Sequence, residues 1–336
     1  MNKIKMFAII TVMAIIFTGC GTVTPEEIKI SFVPSAPAED IMNATEPLEG
    51  LIQKEMAKEE NGGYDIQKVS VDVGTSYEAV GEALASGTTD IGFIPGGTYV
   101  LYEDQGVEPI LTATRKGLSK DSDAAKDWND GKATKYTEDQ VTSYRSIIVA
   151  GPSDKGQELA DKVNSGKDLT FADINSANIC LQSPSSSSGY LYPAQKLGEL
   201  YDKKIADLES TVEVTGYGDA LGRLAAGQCD VTPMYADARM DYVDDWTSTY
   251  GRDKTIWEET NVIGVTDPIM NDTISISQNS PLYSEEFIKN FQNAMIAIAQ
   301  TDAGKEVISI YSHEGYQVAN PDDYEVERQI QEEIVE

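Results

Sequence analysis

Short β-branched apolar runs at residues 28–33, 69–73 and 90–94 alternate with longer stretches, 40–58 and 77–86, in which apolar positions recur every three or four residues. The first spacing suits strands covered on both faces, the second helices with one buried face. Strand, helix, strand, helix, strand in that order predicts an α/β fold with mainly parallel sheets. Residues 116–140 lose the pattern, are rich in Asp and Lys, and read as a surface excursion. At Ser143 a new run opens, YRSIIVAGPSDKG, which reads as a strand crossing into a second lobe. From residue 281 onward helices are expected at 284–300, 302–311 and 321–336, reached through two β-branched runs within 261–277 that Asp267-Pro268 separates. A chain of 336 residues exceeds what one core usually serves, so two lobes are expected. Residues 28–142 and the return segment 266–336 would form one, and 143–265, with the crossing strand, the other.

An internal repeat supports two lobes. TSYEAVGEALASGTTDI at 75–91 and TGYGDALGRLAAGQCDV at 215–231 align without a gap and share Thr75/Thr215, Tyr77/Tyr217, Leu84/Leu224, Ala85/Ala225, Gly87/Gly227 and Asp90/Asp230. Each copy describes a strand end, a helix closed by Gly, and a next strand introduced by Asp. Val33-Pro34-Ser35 and Ser183-Pro184-Ser185 end the first strand of each half. Ligands bind at the carboxyl edge of open α/β sheets, so two such edges facing each other make a cleft.

The stretch with the clearest chemistry is 181–193, LQSPSSSSGYLYP. A short apolar run ends in four serines and a glycine, and a helix-compatible run, 190–201, follows at once. The first amides of a helix lack partners within it, and its dipole makes that end positive. Hydroxyls beside such amides suit a small oxyanion without any Lys or Arg.

Composition restricts the partners. Lys and Arg total 26 against 56 Asp and Glu, a formal net charge of −30. Such a surface repels nucleic acid and anionic lipid headgroups, so an anion site has to be local and enclosed. Residues 1–19 carry Lys3 and Lys5, no acid and an apolar run at 6–17, the pattern of an export signal. The following FTGC resembles a bacterial lipobox, with Phe17 where that pattern usually has Leu. It implies lipidation of Cys20, a tether over 20–27, and anchoring at an extracytoplasmic membrane surface without spanning it. Without the two signal lysines, 24 basic residues face 56 acidic ones, a charge of about −32. Cys180 and Cys229 either pair or sit as small buried hydrophobes; both readings stand.

Taken together, the serine loop, the crossing strand and the repeat resemble the phosphate, phosphite and phosphonate substrate-binding proteins of ABC importers. The most specific element is S-[ST]-S-G-[FY]-x-x-P, present as Ser186-Ser187-Ser188-Gly189-Tyr190-Leu191-Tyr192-Pro193. The resemblance implies a two-lobed type II periplasmic-binding fold, the venus flytrap, over essentially all of the chain beyond the signal. It implies that Ser186, Ser187, Ser188 and Gly189 grip the oxyanion, that Tyr77 joins them, and that Asp237 and Asp272 face a ligand ammonium or protonated oxygen. Where some members have an aromatic this chain has Ile94-Pro95, and where many have a histidine it has Tyr217. Tyr217 donates a hydrogen bond but adds no positive charge near neutral pH. Recognition by neutral donors is therefore expected, with Tyr77 and Tyr217 closing from opposite lobes. The implied partners are a phosphorus oxyanion and an importer's permease and ATPase subunits, with the chain acting as a monomer, without cofactor, metal or catalysis.

Other motifs fail. GPSDKGQ at Gly151 has Gln157 where a phosphate-binding loop requires Lys, and GYGDALG at Gly216 has its third glycine one place late for a dinucleotide fingerprint. His313, the sole histidine, lies in a polar region without an evident partner, which disfavours a Ser/His/acid hydrolase and a zinc site alike. DSDAAKDWNDG at Asp121 lacks calcium-loop spacing. Two alternatives stay open: the same fold binding a sulfonate or carboxylate, and a surface hydrolase with Ser187 or a neighbour as nucleophile.

Overall fold

The computed structural model describes residues 26–335, so the expected export signal, Cys20 and most of the tether lie outside the described residues. Strands β1 (Glu27–Phe32), β2 (Lys68–Val73), β3 (Ile91–Ile94), β4 (Val107–Leu118), β5 (Tyr136–Val141), β6 (Ser143–Ala150), β7 (Ile179–Leu181), β8 (Thr211–Glu213), β9 (Val231–Tyr235), β10 (Asn261–Met270), β11 (Thr273–Ser277) and β12 (Gly315–Val318) form two sheets. One runs β12-β4-β11-β3-β1-β2 with β5 added to β4; the other runs β10-β6-β9-β7-β8. The expected parallel pairing holds among β2, β1 and β3 and among β8, β7 and β9. Strands that carry the chain between the sheets pair antiparallel, which makes each sheet mixed.

Helices α1 (Ala38–Thr45), α2 (Leu48–Met56), α3 (Tyr77–Ala85) and α4 (Gly96–Tyr102) flank the first sheet. In the second lobe lie α5 (Asp154–Asn164), α6 (Phe171–Asn175), α7 (Tyr192–Tyr201), α8 (Tyr217–Ala225), α9 (Val243–Ser248) and α10 (Ile256–Glu259). Then α11 (Glu285–Ile298), α12 (Asp302–Ile308) and α13 (Glu325–Val335) return, and Phe287, Phe291 and Met295 enter the first core beside Ile28, Ile52 and Leu84. The helix expected over 40–58 is two helices, because Pro47 removes an amide donor and stands at the break.

The repeat is used twice in the same way. Helices α3 and α8 begin at Tyr77 and Tyr217, and the turns that close them place Gly87 and Gly227 at φ +72° and +69°, where a side chain is strained. Asp90 accepts from the Lys29 amide at 2.8 Å and from Ser280 Oγ at 2.5 Å. Asp230 accepts from the Asn178 amide at 2.8 Å and from Ser153 Oγ at 2.6 Å. Each carboxylate thus ties the strand it introduces to its parallel neighbour. Cys180 and Cys229 are joined in a disulfide that pins β7 to the turn after α8.

Three sequence expectations are corrected. The polar excursion is partly core: β4 continues to Leu118, β5 pairs with it, and Trp128 is buried in the second lobe against Ile147 and Val262. Pro268 does not separate two strands, because it sits at a register shift in β10, an edge strand, where its missing amide is tolerated. The C-terminal region also contains β12, whose four residues, GYQV, are too few to signal a strand from sequence and take that form by pairing with β4.

The chain crosses between sheets at Thr142 and at Asn271-Asp272, and the crossings are bonded to each other. The Asn271 amide donates to Thr142 O at 3.0 Å and its side chain to Val141 O at 2.9 Å, while Tyr324 Oη donates to Asn271 O at 2.9 Å. Helix α13 spans the same junction, with Ile330 packed against Leu191, Tyr192 and Ile269. One turn earlier, Glu327 is fully buried and neither carboxylate oxygen has a partner of ordinary hydrogen-bond geometry among the described residues. Burial pushes its carboxyl up from 4.5 to about 7. The folded state therefore holds a proton that the unfolded chain releases, and this contribution to stability is lost as pH rises from about 4.5 to about 7. Glu327→Gln should remove that loss, gaining on the order of 3 kcal/mol over wild type above pH 7 and nothing near pH 4, measured by urea unfolding across pH.

Candidate functional site

The serine loop is built by a turn in which the Ser186 amide bonds to Ser183 O at 2.9 Å. A single wide helical turn follows, Leu191 N reaching Ser186 O at 3.0 Å, and leads directly into α7. Ser186 Oγ caps it, accepting from the Gly189 amide at 3.3 Å. At Gly189 a Cβ would fall 2.2 Å from Cγ of buried Gln182, so the glycine is required for close approach. The crossing strand β6 fixes the loop from behind, Ser146 Oγ donating to Ser188 O at 2.7 Å. Ser188 Oγ and Tyr217 Oη are 2.8 Å apart. From the first lobe, the Gly97 amide donates to Ser187 Oγ at 3.0 Å.

These groups enclose a cavity of about 50 Å³ between the lobes, lined by Tyr77, Tyr144, Tyr217, Tyr235, Ser35, Ser186, Ser187, Ser188, Arg115 and Asp272 together with Phe93, Ile94 and Pro95. That is far below the roughly 300 Å³ at which drug-sized sites begin. Burial pushes the hydroxyls of Tyr77, Tyr144 and Tyr217 up, so they remain protonated donors at neutral pH.

Arg115 is the cation in this wall. Its Nη2 donates to Asp272 Oδ2 at 2.9 Å, and its guanidinium lies 4.5 Å from the Tyr144 ring centre and 5.6 Å from that of Tyr235. Its buried Nε has no partner among the described residues. His313 Nε2 lies 3.3 Å from the same Asp272 oxygen, and Nδ1 3.3 Å from Tyr316 Oη. Burial pushes the Asp272 carboxyl up, but Arg115 and His313 outweigh it and hold it below the usual carboxylate value. Burial pushes the His313 ring down despite Asp272, leaving it neutral at pH 7. Among the described residues Asp272 Oδ1 takes no hydrogen bond, so the site offers many donors and one free carboxylate oxygen.

A family model for the periplasmic phosphonate substrate-binding proteins of ABC transporters matches residues 30–324. The chain belongs to that family. The phosphate-import protein PhnD of Mycolicibacterium smegmatis is 22% identical over 248 residues, covering 71% of this chain and 65% of that protein, so under two thirds of the relative's length is spanned. The binding-protein component of an ABC phosphonate transporter from Pseudomonas aeruginosa superposes with a TM-score of 0.64 at 15% identity, covering 92% of this chain and 86% of that one. PhnD1 of Prochlorococcus marinus, solved in complex with methylphosphonate, gives a TM-score of 0.66 at 14% identity, covering 93% and 99%. At these identities the likeness establishes the two-lobed fold.

Of the residues singled out in this phosphonate-family binding protein, the structure brings Tyr77, Ser186, Ser187, Ser188, Tyr217 and Asp272 to one cavity. Gly189 stands behind it as a packing residue. Asp237 does not line it: Arg239 Nε and Nη2 hold both its oxygens at 2.9 Å and Thr134 Oγ1 adds a bond at 2.7 Å, so the carboxylate is fully engaged. The D-x-R spacing at 237–239 was the available signal. Arg115, paired with Asp272, adds a cation to the wall of neutral hydroxyl donors, and His313 is buried against Asp272 and Tyr316 rather than unpartnered. Arg115, Tyr144 and Tyr235 carried no motif, although Tyr144 opens the crossing strand.

The pair sets a stability test. Arg115→Met alone leaves the partly buried Asp272 without its cation and should cost about 2–3 kcal/mol in urea unfolding, whereas Arg115→Met with Asp272→Asn should recover much of that loss.

Proposed function

We propose that this binding protein takes a small tetrahedral phosphorus oxyanion, namely phosphate, phosphite or a short phosphonate, and delivers it to the permease and ATPase subunits of an importer. The supporting observation is the convergence of hydroxyl and guanidinium donors from both lobes on one cavity of about 50 Å³ that retains a single carboxylate acceptor. A ligand oxygen bearing a proton donates to Asp272 Oδ1, while a sulfonate, fully ionised, meets a repulsive contact there. The relatives agree in chemistry: one is named for phosphate import and another was solved with methylphosphonate. Closure is a hinge motion at Thr142 and Asn271, and ligand shifts its population.

A hydrolase would need a base beside Ser187. Its hydroxyl instead faces the Gly97 amide, and the His313 ring is engaged by Asp272 and Tyr316. Calorimetry on protein lacking residues 1–20 tests the binding reading with phosphate, phosphite, methylphosphonate, 2-aminoethylphosphonate, methanesulfonate and dicarboxylates. Phosphate, phosphite or methylphosphonate should bind tightest, with methanesulfonate at least about tenfold weaker and Asp272→Asn narrowing that gap. Tight dicarboxylate binding with no response to phosphorus ligands overturns it.

The FTGC pattern supports an anchored, extracytoplasmic protein lipidated at Cys20. Full-length protein should fractionate with membranes and incorporate labelled fatty acid. Cys20→Ala should abolish the labelling; labelling that persists excludes Cys20 as the anchor.

A further inference from the structure

The serines of the loop divide into two groups. Ser186, Ser187 and Ser188 line the anion cavity, but Ser183 and Ser185 do not. They are buried against the first lobe, where Ser183 Oγ donates to Oε1 of Glu78 and Ser185 Oγ donates to the same oxygen at 3.0 Å. Thr98 Oγ1 adds contacts to Ser185 O at 3.4 Å and to its hydroxyl at 3.3 Å. Glu78 sits in the first turn of α3, next to Tyr77 of the cavity, yet it is not among the residues lining that cavity. Burial pushes its carboxyl up, but the Ser183 hydroxyl and further donors outweigh it, so it is ionised at neutral pH. A carboxylate so near an anion site opposes the ligand's charge, an arrangement that requires a compensating role. Two hydroxyl donors from the opposite lobe supply it, since hydrogen bonds to an ionised acceptor are the stronger kind.

We propose that Glu78 is a positioning residue: it clasps Ser183 and Ser185 across the cleft, holds the serine loop in its anion-gripping form and sets the closed population. The proposal rests on the anion-binding reading for its effect on affinity, but the clasp itself is observable without ligand. With spin labels at exposed Lys54 and Glu209, one in each lobe, the ligand-free distance distribution should contain a short component that Glu78→Ala removes. Glu78→Ala should weaken binding of inorganic phosphate and methylphosphonate about ten- to a hundredfold. Glu78→Gln keeps a carbonyl acceptor of the same shape and should stay within about threefold of wild type. Ser183→Ala with Ser185→Ala should reproduce the loss, and adding Glu78→Ala should cause little more. The proposal is overturned if ligand-free wild type lacks the short component, if Glu78→Ala leaves it unchanged, or if the losses multiply as independent effects. Should neither probe bind wild type, the anion reading fails and the distance measurement still decides the clasp.

Discussion

A guanidinium withdrawn from water has to meet a carboxylate, and in this chain the partners come from positions 115 and 272, at opposite ends of the excursion through the second lobe. Burying either ion alone costs several kcal/mol, so each is tolerated only because the other arrives. Asp272 immediately follows the crossing at Asn271, which places the pair at the junction of the lobes. The aromatic faces of Tyr144 and Tyr235, both on strands of the second sheet, cover the guanidinium of a first-sheet strand. Relative movement of the lobes therefore alters the surroundings of that charge.

On the anion-binding reading proposed above, the same pair reconciles an acidic protein with its ligand. At a formal −30 the surface offers no long-range attraction to an oxyanion. Surface charges are screened over roughly 10 Å in ordinary salt, whereas donors inside an enclosed cavity act at contact distance in a low dielectric. Arg115 offsets Asp272, and on that reading selection of an anion falls to the serine hydroxyls and to tyrosine hydroxyls whose protons burial retains.

Two copies of one local device hold these donors in place. Asp90 and Asp230 each bond the backbone of a neighbouring strand, and the preceding helices begin at Tyr77 and Tyr217. Since each lobe presents its helix start at the same edge of a parallel strand trio, opposing the two edges brings the tyrosines together without any sequence proximity.

What the sequence determined by itself is what near neighbours decide. The strand runs of β1, β2 and β3, the helices at Tyr77 and Tyr217, the glycine closures and the serine loop were legible because hydrophobic period and turn chemistry act over a few residues. The break at Pro47 is a signal of the same local kind, but a reading of 40–58 as one helix passes over it. Tertiary structure alone decided the rest. Arg115 reads as the edge of a polar stretch until Asp272 arrives, and His313 reads as solvated until Asp272 and Tyr316 flank it. Whether a charge is buried depends on which partner the fold delivers from 157 or 41 positions away, and no local pattern encodes that delivery.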